Sequence, residues 1–311
     1  MGIFLALITY FAYVFIIGMY TAKAVKFLKA PLHIRWDLYP VLHEEHHGYG
    51  GSYYEDEEWW TKKRRKHRMR GLLSLVADNF YLGDYFSRNR SYWLALYPWH
   101  LGFILIISFH ICCFFAAVAM LLGLTIGPSV GGLGALFYYV ILLTAVPSFI
   151  LGSIGSMALL LKRSTDEALK RYAGPLNYFN YLFFLVVFLS GLYSWYFTDP
   201  TFSGYRQFWK ALITLHQPHV EPATAAHILL FSLFLIYLPY TRSMHYISRF
   251  LAFFMIRWDD EPNTRGSALE RKVSALLKAK VTWQAPHIQS GGTWAQVATE
   301  VPVRGQGEGK K

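Results

Sequence analysis

Charge is what this chain has least of. Asp, Glu, Lys and Arg make up 16% of its 311 residues, and none of them occurs from Ser91 to Leu161. With 54% hydrophobic and 18% aromatic residues, that balance excludes one soluble domain and suits a polytopic membrane protein with basic segments outside the bilayer. Cysteine is nearly absent too. Cys112 and Cys113 are the two there are. Neighbours on a helix point about 100° apart and lack the ligand spacing of a zinc or iron–sulfur site, so both read as packing residues. No internal repeat is visible.

A bilayer-crossing helix needs about 20 apolar residues, so the uncharged run predicts two spans. GPSVGG (Gly127 to Gly132) breaks them, because glycine and proline leave helical geometry easily. Ile3–Ala22, Pro175–Thr198 and Ala223–Thr241 are the other candidates, which makes five. The first lacks a basic start and a small-residue cleavage pattern before Lys23, and its apolar stretch is too long for a leader. It is expected to stay as an anchor.

With five spans the connections alternate sides. The segments Lys23–Arg90 and Lys162–Arg171, together with everything from Arg242 on, hold 28 of the 30 Lys and Arg residues. Arg206 and Lys210 are left for the other side. The positive-inside rule then predicts an N-terminus outside and a C-terminus in the cytoplasm. The fold class expected is an all-α, five-helix integral membrane bundle in the cell's inner (cytoplasmic) membrane. Residues 1–255 form the membrane domain, including a cytoplasmic loop at 23–90, and residues 256–311 form a cytoplasmic tail. The same topology accounts for most of the net charge of +11, so no nucleic-acid partner is expected. KKRRKHRMR (Lys62 to Arg70) suits anionic lipid headgroups or an acidic partner.

HEEHH, His43 to His47, matches the H-E-x-x-H zinc signature, in which two histidines one turn apart bind metal beside a catalytic glutamate. Its flanks work against that reading. Pro40 could open a helix, but Gly48, Gly50 and Gly51 end it within two turns, too short to be stable unless packed. No third ligand stands at a diagnostic spacing. A chance match among twelve histidines explains it better, and a membrane-anchored zinc metalloenzyme is the alternative it leaves. A haem-free, proton-handling membrane protein is another.

Ionisable groups inside a span are costly and usually have a partner or a task. The second span, YPWHLGFILIISFHICCFF, carries His100 and His110. The fifth, HILLFSLFLIYLPYTRSMHYI, carries His227 and His245. One buried histidine is most simply a satisfied core residue. Two on each of two antiparallel spans, with none in the other three, is what bis-histidine binding of two haems needs. His100 then lies level with His245, and His110 nearer His227. At helical rise the pairs are separated by about 15 Å on the second span and about 27 Å on the fifth. Crossing, leaning side chains and a bend at Pro239 must absorb that mismatch.

The order His227, Pro239, Arg242, His245, the ten-residue spacing in the second span and the five-span topology resemble the dihaem cytochrome b (gamma) subunit of respiratory nitrate reductase. The resemblance covers roughly residues 1–250, apart from the long first loop. It implies two haem b groups: His100 with His245 on the inner haem, and His110 with His227 on the outer one. Arg242 would stand near the haem propionates; a snorkelling arginine that sets topology is the plainer reading. That family oxidises menaquinol or a similar quinol at the outer haem and passes electrons inward to an iron–sulfur protein. Its members use a lysine between the second and third spans, whereas Leu124 to Leu133 here has no ionisable residue. Lys210, His216, His219 and Glu221 of FWKALITLHQPHVEPATAAH are the substitutes available for a quinone site.

RWDLYPVLHEEHHGYGGSYYEDEEWW resembles loops of membrane subunits that accompany heterodisulfide-reductase-like iron–sulfur proteins in sulfate reducers. Its Trp and Tyr density on the inner face fits docking of a cytoplasmic iron–sulfur subunit, of that kind or of the nitrate-reductase type, and equally fits packing at the membrane surface. A periplasmic cytochrome c is a further possible partner. After Trp258, GSALERKVSALLKAK reads as an amphipathic helix and GGTWAQVATEVPVRGQGEGKK as flexible.

Overall fold

The computed structural model describes residues 2–29, 79–256, 265–285 and 290–299, with 58, 73, 76, 77 and 288. HEEHH, KKRRKHRMR and most of the first loop lie outside the described residues. The described chain is all-α: its only β pairing is two isolated bridges, Lys280 with Thr293 and Ala285 with Ile288. Five helices are long and apolar enough to cross a membrane: Gly2–Lys29, Arg90–Leu121, Gly132–Thr165, Pro175–Phe197 and the segment Pro222–Tyr240. This is a multi-pass membrane protein.

Local chemistry sets where the helices begin and end. Asn89 caps the second span by accepting from the Tyr92 N–H, satisfying a donor that the first turn leaves open. Between the second and third spans, Gly123, Gly131 and Gly132 take positive φ, a conformation that costs glycine little. Pro175 and Pro222 open the fourth and fifth spans at a position where a missing N–H costs nothing. The first and third spans run past the apolar stretch, to Lys29 and Thr165, with lysine or arginine in each last turn, where a cation complements the helix dipole.

The spans approach closely where they carry small residues. A Cβ on Gly102 would stand 2.5 Å from the Gly152 backbone nitrogen. One on Gly155 would strike the backbone of Trp99, and one on Gly191 would strike the ring of Phe149. Glycine there clamps the second, third and fourth spans together.

Two further elements shape the site. Ser203–Ile213 is a helix with Tyr205, Arg206, Phe208, Trp209 and Leu212 buried, packed on the second span. The fifth span does not continue to His245. Its α-helix ends at Tyr237, and 3-10 turns follow at Leu238–Tyr240 and Arg242–Met244, with Thr241 extended between them. His245 opens a new helix, His245–Ile256. Pro239 lacks the N–H the helix needs and crowds the turn before it. The Leu238 carbonyl at the break accepts from the Thr241 N–H, the Thr241 hydroxyl and the Ser243 hydroxyl.

The chain divides into two compact units: 1–22 with 76–245, and 23–75 with 246–311. In the second, Ala268–Leu277 forms the expected amphipathic helix, capped by Ser267. The stretch after it, read as flexible from sequence, contains the short helix Trp294–Thr299. The Val281 N–H donates to the Gly292 carbonyl and the Gly291 N–H to that of Val281. Residues 300–311 lie outside the described ones.

Candidate functional site

The four intramembrane histidines meet in two pairs. His110 and His227 have ring centroids 5.6 Å apart with planes 19° from parallel, and His100 and His245 have centroids 6.3 Å apart at 36°. With metal–nitrogen bonds of about 2 Å, two imidazoles sharing one ion have centroids about 6 Å apart. The straight-helix register that made the spacing on the fifth span too long does not apply, because the helix stops at Tyr237. His245 is set by the turn after Pro239.

The nitrogens of the outer pair are arranged for a ligand role. His227 Nδ1 lies 2.9 Å from Ser190 Oγ on the fourth span. His227 Nε2 and His110 Nε2 are buried and meet no hydrogen-bond partner among the described residues. Leaving such a nitrogen buried and unpaired costs about 1–3 kcal/mol, so two aimed into one place mark a missing partner. In the inner pair, His245 Nδ1 lies 2.9 Å from the Arg242 carbonyl. Both histidines of the fifth span therefore have Nδ1 held, the arrangement that turns Nε2 toward a metal. His100 is buried, whereas His245 is exposed at the end of the bundle.

Aromatic rings fill the surroundings of the outer pair. Phe231, one turn after His227, stacks on His110 at 3.6 Å and 11°. Phe149 stands 5.3 Å from His227, and Tyr205 stands 6.1 Å and 5.8 Å from the two imidazoles. A cavity of about 10 Å³ adjoins His110, lined by Tyr13, Tyr205 and Phe231 among others. The donor set fits an iron held from both sides by imidazole. A porphyrin needs far more room than that cavity, and Phe231, lying beside His110, is the side chain that must rotate to admit it. Tetrahedral zinc instead takes three or four protein ligands, and among the described residues no three His, Cys, Asp or Glu side chains form such a group.

The helix Ser203–Ile213 closes the outer end. Asp199 accepts from the backbone N–H groups of Ser203 and Gly204, each at 2.8 Å, and so fixes where that helix starts. The Tyr205 hydroxyl reaches Ser194 Oγ at 3.1 Å, and Ser194 reaches Thr224 Oγ1 at 2.9 Å, a hydroxyl chain beside the outer pair. Burial raises the Tyr205 phenol above its usual range, so this hydroxyl keeps its proton. Arg206, also buried, donates from Nη1 to the Thr201 carbonyl at 2.8 Å, and burial lowers its guanidinium below the usual value.

Beyond this lid lies a cavity of about 470 Å³, lined by Gln217, Pro218, His219, Val220 and Glu221 together with Gly2, Leu5, Gly204 and Ala225. Of the residues proposed from sequence for a quinone site, His219 and Glu221 line it. Lys210 and His216 do not, and His216 is tied to Thr214 at 2.9 Å. Gly204 precedes Tyr205, and Ala225 lies two positions before His227, so one layer of residues separates this cavity from the outer imidazoles. Arg242 is exposed, with its carbonyl on His245.

Sequence reading missed Ser190, Phe231 and Tyr205. Tyr205 was discoverable: Tyr205, Phe208, Trp209 and Leu212 recur at helical spacing. No pattern singles out Ser190 or Phe231 among so many apolar neighbours. Compared with models of known families, with curated proteins and with solved structures, the chain matches none.

Proposed function

We propose that this protein is a dihaem b-type cytochrome, the membrane subunit of a quinone-linked respiratory complex in the cytoplasmic membrane. The observation that carries the reading is the outer pair: two buried imidazoles face to face, each with an unpartnered Nε2. His110 with His227 and His100 with His245 are the axial ligands of two haem b groups. Bound there, haem supplies one-electron transfer between the two ends of the bundle.

The chain's own residues do the rest. The Lys and Arg distribution puts the outer pair toward the outside and His245 toward the cytoplasm. The larger cavity takes a quinol headgroup, being of a size usual for small-molecule sites. His219 and Glu221 in its wall are placed to accept the protons that a quinol releases, in the role that the lysine between the second and third spans has in the resembled family. Lys210 and His216 drop out of that role. Ser190 and the Arg242 carbonyl orient the fifth-span imidazoles, and Tyr205 and Phe149 exclude water around the outer pair. At the other end, exposed His245 lies where a cytoplasmic iron–sulfur subunit, heterodisulfide-reductase-like or nitrate-reductase-type, would collect electrons. A periplasmic cytochrome c could serve at the outer face, and basic residues of the first loop would meet anionic lipid.

The test is a reduced-minus-oxidised visible spectrum and a haem assay on the purified full chain. Two b-type haems per chain are expected. Zinc without haem would favour the HEEHH reading, and a colourless chain that does not take up added haem would overturn ours.

A further inference from the structure

We infer that Ser190 is the positioning residue of the outer site: it sets the tautomer of His227 and the electron-donating strength of that imidazole. The inference rests on the haem reading above but concerns a residue on a different span from any ligand.

The geometry assigns each proton. Ser190 Oγ donates to the Val187 carbonyl at 2.8 Å, so its single hydrogen is spent within its own helix. Toward His227 Nδ1, at 2.9 Å, the oxygen can then only accept. His227 must carry its proton on Nδ1 and present a bare lone pair on Nε2, the buried atom that meets no partner among the described residues. A histidine free to choose would be a mixture of tautomers, and only one of them can bind a metal through Nε2. Donating from Nδ1 to an oxygen also makes the ring a stronger electron donor, which favours the ferric over the ferrous ion.

The inner site lacks this control. There His245 Nδ1 lies against the Arg242 carbonyl, a backbone acceptor that no side-chain substitution removes. Changing Ser190 should therefore act on one haem alone.

The experiment is a potentiometric titration of the purified full chain, followed by visible spectroscopy, with Ser190→Ala and Ser190→Thr beside the wild type. In Ser190→Ala the oxidised-to-reduced equilibrium of one haem should shift about tenfold toward reduced, a rise of about 59 mV for one electron, while the other haem does not move. Ser190→Thr keeps the hydroxyl and should restore the wild-type value. Where the alanine variant does not fold, Ser190→Cys provides a near-isosteric poor acceptor. On a His110→Ala background, which keeps only the inner haem, the serine change should do nothing. If the wild type holds two haems and neither potential moves, or both move equally, the positioning role is overturned and the haem assignment stands. If the wild type holds no haem, both fail.

Discussion

A buried imidazole nitrogen with nothing to bond is the sharpest signal in this molecule, and two face each other in the outer pair. Removing one ring of a pair leaves one axial ligand, too few to hold a b-type haem bound only by its iron. His227→Ala and His245→Ala should each lower haem content from two to one per chain, read by haem assay. His43→Ala should leave two; loss of haem in that variant would move the chemistry to HEEHH. Phe231 gives a second residue-level prediction. Its ring stacks on His110, so the larger ring of Phe231→Trp should hinder entry and reduce haem loading toward one per chain, while Phe231→Leu should leave loading at two. The identities of the four histidines were legible in the sequence because histidine is conspicuous among apolar residues. Ser190 and Phe231 were not, because their importance comes from a neighbour 37 residues distant or from a ring stacked across two helices.

Among the elements, the helix Ser203–Ile213 and the break at Pro239 matter most to the site. Asp199 satisfies the first N–H groups of that helix, and losing such a cap costs about 0.5–2 kcal/mol. Asp199→Ala should lower thermal stability in detergent by that order and leave the chain able to bind haem. The glycine clamp predicts a larger effect. Gly155→Leu drives a side chain into the backbone of Trp99, one residue from His100. Overpacking of this kind costs about 1–3 kcal/mol. The variant should show a lowered melting temperature and a disturbed inner-haem spectrum. Glycine and proline in the sequence announced where helices stop. They did not announce that Leu238 would turn its freed carbonyl to Thr241 and Ser243, nor that the Tyr20 hydroxyl of the first span would donate to Ser243 at 2.8 Å and brace the turn carrying His245.

Taken whole, the molecule is a bundle whose direction across the membrane follows from where its lysines and arginines lie. The proposed topology places Leu122 outside and Tyr172 inside, and the two are 84% and 85% exposed. With Cys112 and Cys113 changed to alanine, Leu122→Cys should react with a membrane-impermeant maleimide in spheroplasts, and Tyr172→Cys only after lysis. The reverse pattern would invert the electron path proposed here and put His219 and Glu221 on the cytoplasmic side.

Composition alone settled that this chain is helical and membrane-embedded, and how many spans it has. Hydrocarbon tolerates neither charge nor unpaired backbone, so both leave a one-dimensional trace. Spacing alone suggested which histidines belong together. Only the tertiary structure decided how the fifth span leaves its helix to bring His245 to His100, which hydroxyl holds His227, and that His219 and Glu221, unlike Lys210 and His216, line a cavity. Those outcomes depend on side chains from separate helices meeting at hydrogen-bond or van der Waals distance, and no local pattern records who the neighbours will be.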